Sequence, residues 1–206
     1  MQNKEHWEKV YSTKAPDRVS WFQPHAEMSM QLIKASGLGW DAAIIDVGGG
    51  ACTLVDDLLD EGHRQVTVLD LSAAALAESR RRLGARSDLV TWVEADITRA
   101  TFAPHSIDLW HDRAVFHFLT TQADREAYVR QVLHALKPGG HIIMATFGSN
   151  GPTQCSGLPV MRYAPNELHA EFGEVFTLLA HEEQVHHPPF GTEQQFIYCM
   201  CRKRST

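Results

Sequence analysis

Apolar positions fall into short blocks separated by polar, glycine-rich stretches, and the blocks alternate between two periodicities. The run 42–47 is continuous and short, then meets Gly48-Gly49-Gly50, which predicts a buried strand and a tight turn. From Thr53 to Glu61, Leu54, Val55, Leu58 and Leu59 recur at helical spacing until Gly62. Further strands are predicted at 66–69, 90–93, 107–110 and 141–146, with later ones at 176–180 and 195–201. Helices are predicted at 24–36, at 73–83 behind a Ser72 cap, at 124–136 before Lys137-Pro138-Gly139-Gly140, and at 166–172. Strands alternating with helices predict an α/β fold, a mostly parallel sheet covered on both faces. No repeat or low-complexity linker interrupts the pattern, so one domain over 1–206 is expected. Within it, 1–40 form an N-terminal lid and 148–195 carry loops around an acceptor site.

Ligands of such sheets sit at the carboxyl ends of the strands. The residues there are therefore the candidates. Asp46-Val47-Gly48-Gly49-Gly50 follows the first strand, and Gly48 and Gly50 let backbone and ligand approach closely. Gly49 has no assignable role. Asp70 ends the second strand, at the spacing of a carboxylate that binds ribose hydroxyls. Asp96 follows the third, placed to accept from an adenine amino group with Ile97 against the ring. A dinucleotide fingerprint wants a further glycine where Thr53 stands, which argues against NAD or FAD.

Taken together these motifs resemble the class I methyltransferases that use S-adenosylmethionine (SAM). The resemblance rests on Ile45-Asp46-Val47-Gly48-Gly49-Gly50, on Val68-Leu69-Asp70-Leu71-Ser72, on Glu94-Ala95-Asp96-Ile97 and on Leu136-Lys137-Pro138-Gly139-Gly140-His141. It implies a Rossmann-like seven-stranded sheet whose last strand, 195–201, runs antiparallel. It also implies SAM as methyl donor, held by Asp46, Gly48, Gly50, Asp70, Leu71, Asp96 and Ile97. The front end, His6-Trp7-Glu8-Lys9-Val10-Tyr11 and Val19-Ser20-Trp21-Phe22, is similar to a subgroup that includes protein-lysine methyltransferases. That similarity implies that Trp7, Tyr11 and Trp21 cover the methionine end of SAM. His111-Asp112-Arg113-Ala114 resembles the same subgroup and the thiopurine and tellurite enzymes, so Arg113 or Asp112 would touch the amino-acid moiety.

Methyl transfer is an in-line displacement, and an acceptor that carries a proton gains from a general base. Asp112 and His117 are the candidates, just past the fourth strand. The stretch 148–162 reads as a loop roofing the acceptor pocket, and the 186–191 loop could meet it. The acceptor is expected to be a small molecule or metalloid. The alternatives are a protein lysine and, in another class, a non-catalytic SAM or nucleotide binder.

Charge and composition add exclusions. The net charge is −6, and the one dense basic run is Arg80-Arg81-Arg82 with Arg86, so no nucleic-acid partner is expected. No apolar stretch suits a signal peptide or a membrane span. Cys52, Cys155, Cys199 and Cys201 form no Cys-x-x-Cys pair, so no metal site is expected. Cys199 and Cys201 would share one strand face as buried thiols in a reducing cytoplasm.

Overall fold

The computed structural model describes residues 4–188 and 191–205. Helix α1 (Lys4–Thr13) and helix α2 (Glu27–Ala35) precede the sheet. Then follow β1 (Ala43–Val47), α3 (Leu54–Asp60), β2 (Gln65–Asp70), α4 (Ala73–Leu83), β3 (Val90–Glu94) and β4 (Ile107–Arg113). Helix α5 (Gln122–Ala135) leads into β5 (Leu136–Phe147). A two-stranded hairpin, β6 (Gln154–Cys155) and β7 (Leu158–Pro159), comes next. Helix α6 (Pro165–Ala170), β8 (Phe176–His186) and β9 (Gln194–Lys203) complete the chain.

The seven-stranded sheet has the order β3-β2-β1-β4-β5-β9-β8. Strands β1 to β5 pair in parallel, and β9 runs antiparallel to both its neighbours. The strand order reverses between β1 and β4, which opens a crevice at their carboxyl ends. Two apolar cores cover the two faces. One packs Met30, Ile33, Leu58 and Leu76 from α2, α3 and α4 against Ile44 and Leu109. The other packs Tyr128, Val132 and Leu168 from α5 and α6 against Ile45 and Trp110. Alternate residues of β1 and β4 thus serve opposite cores, as a strand's period of two requires.

Local chemistry sets the element ends. The Ser72 side chain accepts from Ala75 N at 3.1 Å and caps α4, and Gly84 at φ 57° ends it. The Thr121 side chain caps α5 by accepting from Asp124 N at 3.2 Å. Lys203 Nζ donates to Leu133 O at 2.6 Å and Leu136 O at 2.8 Å, closing the C-terminal end of α5.

Three elements differ from the expectation. The Lys137–Gly140 stretch lies inside β5, as a register irregularity opposite Ile107–Leu109. Gly139 at φ 76° makes the bend. Residues 148–162 are not a bare loop, because the hairpin forms within them. Strand β8 runs six residues past 180 because β9 pairs with it to His186. Cys199 and Cys201 are buried free thiols in one core, as expected. The arginine run is tied to acids, with Arg81 on Glu78, Arg82 on Asp56 and Arg86 on Asp60. Among the described residues no helix is long and apolar enough to cross a membrane.

Candidate active site

The first turn after β1 is shaped by carboxylates. Asp70 is buried. Its Oδ2 accepts from Gly50 N at 3.0 Å, and its Oδ1 from Ser72 N at 2.8 Å. A Cβ on Gly50 would stand 2.5 Å from that Oδ2, so the turn and the acid fit each other only with glycine. Burial pushes the Asp70 carboxyl up to about 6, against the pull of the Ser72 and Gly50 amides. Gly48 has φ 72°, and a Cβ there would lie 2.0 Å from Val115 Cγ2. Gly49 also has a role, which the sequence did not disclose. Its Cβ would fall 2.1 Å from Asp46 Oδ2.

Asp46 projects from β1 toward the α2 side. Its Oδ1 lies 2.7 Å from His111 Nδ1, and His111 Nε2 lies 2.9 Å from Ser29 Oγ. The pairing follows from register, since Asp46 and His111 are direct partners on β1 and β4. The other oxygen, Asp46 Oδ2, is buried and has no partner among the described residues. Arg113, two residues on from His111 on the same face, donates from Nε to Tyr198 Oη at 2.9 Å and from Nη1 to Trp21 O at 3.0 Å. Its Cζ sits 4.5 Å above the Phe196 ring. Its Nη2 is buried and has no partner among the described residues.

A cleft joins these groups. One part is lined by Trp7, Tyr11, Trp21, Gly48, Asp70, Leu71, Ile97 and Arg113, all expected, together with Cys52, Phe118 and Cys155. A second part continues past Trp21, Gly48, Cys52 and Arg113 to Asp46, Ser29 and His111. The roof is α1. Trp7 meets Trp21 at 5.7 Å and Phe118 at 5.1 Å, ring centre to centre. Three ties hold α1 down. Glu8 Oε1 accepts from Ala73 N at 2.6 Å and Oε2 from Ala74 N at 3.2 Å, at the start of α4. Lys4 pairs with Glu94. His6 Nε2 lies 3.2 Å from Ser156 Oγ, at the tip of the hairpin.

Four expected site residues, Asp96, Asp112, His117 and Gly50, lie off the cleft wall. Asp96 Oδ1 accepts from Thr98 N at 2.9 Å and from Thr98 Oγ1 at 2.7 Å, while its neighbours Ala95 and Ile97 line the cleft. Asp112 points to the opposite face of β4, because it is one residue out of phase with His111 and Arg113. It accepts from Val115 N at 2.9 Å, Phe116 N at 3.1 Å and Tyr128 Oη at 2.6 Å. Burial pushes it up to about 6, against those donors. His117 is fully buried, and burial with the nearby Arg113 charge pushes it down to about 3. Its Nδ1 accepts from Phe147 N at 3.4 Å. The structure therefore does not bring either proposed base to the cleft. Gly50 does not line it but supports Asp70 from behind. The 186–191 loop is described only at its ends. His186 Nε2 lies 2.8 Å from Ser20 O, and His187 pairs with Glu193.

Sequence reasoning missed His111 and Ser29 as partners of Asp46, Glu8 as a tie, and Cys52, Val115 and Phe118 as lining. His111 stood in a quoted motif, but only the β1–β4 register shows what it faces. The Glu8 tie joins residues 65 apart, and no local signal marks it.

Comparison with known proteins places the geometry. A family described as "Methyltransferase domain" matches residues 44–140. The chain is 21% identical over 139 residues to the mouse (Mus musculus) eEF1A lysine and N-terminal methyltransferase, covering 68% of this chain and 20% of that protein. It spans a fifth to about half the length of curated relatives that it matches. Among solved structures, one described as "Conversion of a Disulfide Bond into a Thioacetal Group during Echinomycin Biosynthesis" superposes with a TM-score of 0.79 at 20% identity, covering 99% of this chain and 94% of that one. The N-methyltransferase NodS from Bradyrhizobium japonicum, in complex with S-adenosylhomocysteine, gives 0.70 at 15% identity, covering 98% and 99%.

Proposed function

We propose that the chain is a class I, Rossmann-like methyltransferase, as its match to a methyltransferase domain over residues 44–140 supports, and that it transfers a methyl group from SAM to a small-molecule or metalloid acceptor. One observation carries the donor assignment. At one end of the cleft a buried acceptor, Asp46 Oδ2, and a buried donor, Arg113 Nη2, both lack partners among the described residues. Such groups cost free energy unless a ligand completes them. An ammonium for the first and a carboxylate for the second describe an α-amino acid. At the other end Asp70 faces the cleft where a ribose would lie, with Leu71 and Ile97 as apolar walls for an adenine. A ligand with an amino acid at one end and a nucleoside at the other is SAM.

Asp46 and Arg113 hold the methionine end, Asp70 orients the ribose, and Gly48 and Gly50 let the donor approach the backbone. Asp96 works through the turn that it sets for Ile97. Trp7, Tyr11 and Trp21 exclude water and align methyl with acceptor, which is most of what such a displacement needs. SAM supplies the activated methyl. The ties of α1 to the hairpin and to α4 hold a roof over the cleft, which supports a small acceptor over a lysine on a folded protein.

Calorimetric titration with SAM and, separately, with NADH tests the donor. SAM binding that is lost in Asp70→Ala, without NADH binding, is expected. A folded protein that binds no SAM sinks the reading. Labelled SAM offered with small molecules and with lysine-containing protein then separates the two acceptor classes.

A further inference from the structure

Resting on the assignment of SAM, we infer that His111 and Tyr198 are the positioning residues of the donor's amino-acid end, one for each of its charges. Each acts through the group that it aims. Those groups are Asp46 Oδ2 and Arg113 Nη2, buried and without partners among the described residues. His111 has both ring nitrogens engaged, and Tyr198 lies outside the cleft wall. A carboxylate plane turns easily about its last bond, and an arginine has several bonds to turn about. What either presents to the cleft is therefore decided by what holds its far side.

On the Asp46 side the hold is short. His111 stands directly across from Asp46 on β4. A carboxylate accepts, so Nδ1 donates to Oδ1 across 2.7 Å. Ser29 Oγ, on α2, engages Nε2 at 2.9 Å and fixes the ring. With Oδ1 pinned, Oδ2 lies beside Gly49, where a Cβ would stand only 2.1 Å away. The glycine keeps that space clear for an ammonium.

On the Arg113 side the hold comes from the far strands. Arg113, Ala145 and Tyr198 are register partners in one row across β4, β5 and β9. Neighbouring strands lie about 4.8 Å apart, so the guanidinium crosses over the small Ala145 to reach Tyr198. Tyr198 Oη accepts from Arg113 Nε at 2.9 Å and donates to Gln184 Oε1 on β8 at 3.1 Å. The Phe196 ring lies under Cζ, and Trp21 O takes Nη1. Nη2 is the donor that remains, turned to a carboxylate. The two supports share no residue. Ser29 and His111 serve the ammonium, and Tyr198 and Gln184 serve the carboxylate. Loss of one support should therefore weaken only ligands that carry the matching charge. A residue that merely held the fold would weaken every adenosine ligand alike.

The test is calorimetry on the intact chain with three ligands. SAM carries both charges, decarboxylated SAM keeps the ammonium alone, and 5′-methylthioadenosine has neither. In His111→Leu, SAM and decarboxylated SAM should each bind roughly 10-fold more weakly, the scale of one charge-assisted hydrogen bond, with methylthioadenosine unchanged. His111→Asn keeps a donor near the Nδ1 position and should restore most of that loss. In Tyr198→Phe, SAM alone should weaken, by roughly 10-fold or less, because Trp21 O and Phe196 still hold the guanidinium. Should either variant fail to fold, Ser29→Ala and Gln184→Ala, one hydrogen bond further out, are expected to give the same two patterns more weakly. Equal losses for all three ligands overturn the inference. So do SAM affinities that neither support alters, or a His111→Asn protein as weak as His111→Leu. An unaltered protein that binds no SAM, or binds it no better than methylthioadenosine, strikes the underlying reading instead.

Discussion

Asp46 and Asp112 sit on neighbouring strands, both buried, and meet opposite fates. Asp112 faces the α5 core, where Val115 N, Phe116 N and Tyr128 Oη complete it, and Tyr128 Oη in turn accepts from Trp110 Nε1 at 2.8 Å. Asp46 faces the α2 side, where His111 takes one oxygen and the other has no partner among the described residues. The first carboxylate is spent on holding the turn after β4. The second is held in place by His111 and Ser29 and keeps capacity for a ligand. Burial alone therefore does not mark a functional acid in this fold. The unfilled valence does.

The sharpest way to break this contrast is Asp112→Ala. It strands three buried donors, so chemical denaturation should show a loss of about 3–5 kcal/mol. A stable Asp112→Ala protein with weakened SAM binding would invert the assignment. Next comes Arg113→Met, which removes the donor that faces a carboxylate. Calorimetry should show SAM affinity lower by roughly 10- to 100-fold, the worth of a charge-assisted hydrogen bond of about 1.5–3 kcal/mol. An unchanged affinity would free Arg113 from the methionine end.

Acid sharpens the comparison further. Asp70 and Asp112 are both raised from 3.8 to about 6 by burial. Their folded forms hold protons more tightly than the unfolded chain. The stability that this contributes is fully present below about 3.8 and is lost as pH rises through 6. Denaturant titrations of the ligand-free protein should show this component falling between pH 4 and 6, and less steeply in Asp70→Asn. SAM affinity should run the other way, weakening several-fold as pH falls through 6 and Asp70 protonates, with the dependence flattened in Asp70→Asn.

The smallest effect belongs to the roof. Glu8→Ala removes a carboxylate from the first N–H groups of α4, an interaction worth about 1 kcal/mol. Stopped-flow dissociation of SAM should become a few-fold faster, with global stability little altered. A dissociation rate unchanged by this substitution would show that α1 does not gate the cleft.

Sequence alone determined the strand–helix order from β1 to β5, the reversal point at the glycine turn and the carboxylate Asp70. These follow from periodicity, from caps such as Ser72 and from glycines, all of which act within a few residues. It also marked Trp7, Tyr11, Trp21 and Arg113 through their resemblance to known motifs, and the structure gathers all four on one cleft. Only the tertiary structure decided which face each β4 residue serves. A strand turns its side chains by half a revolution per residue, so the phase that separates Asp112 from Arg113 is set by what packs on each face. Only the fold, likewise, brought Glu8 to α4 and Ser156 to His6. Contacts between residues so far apart in the chain depend on how whole elements stack, which no local pattern encodes.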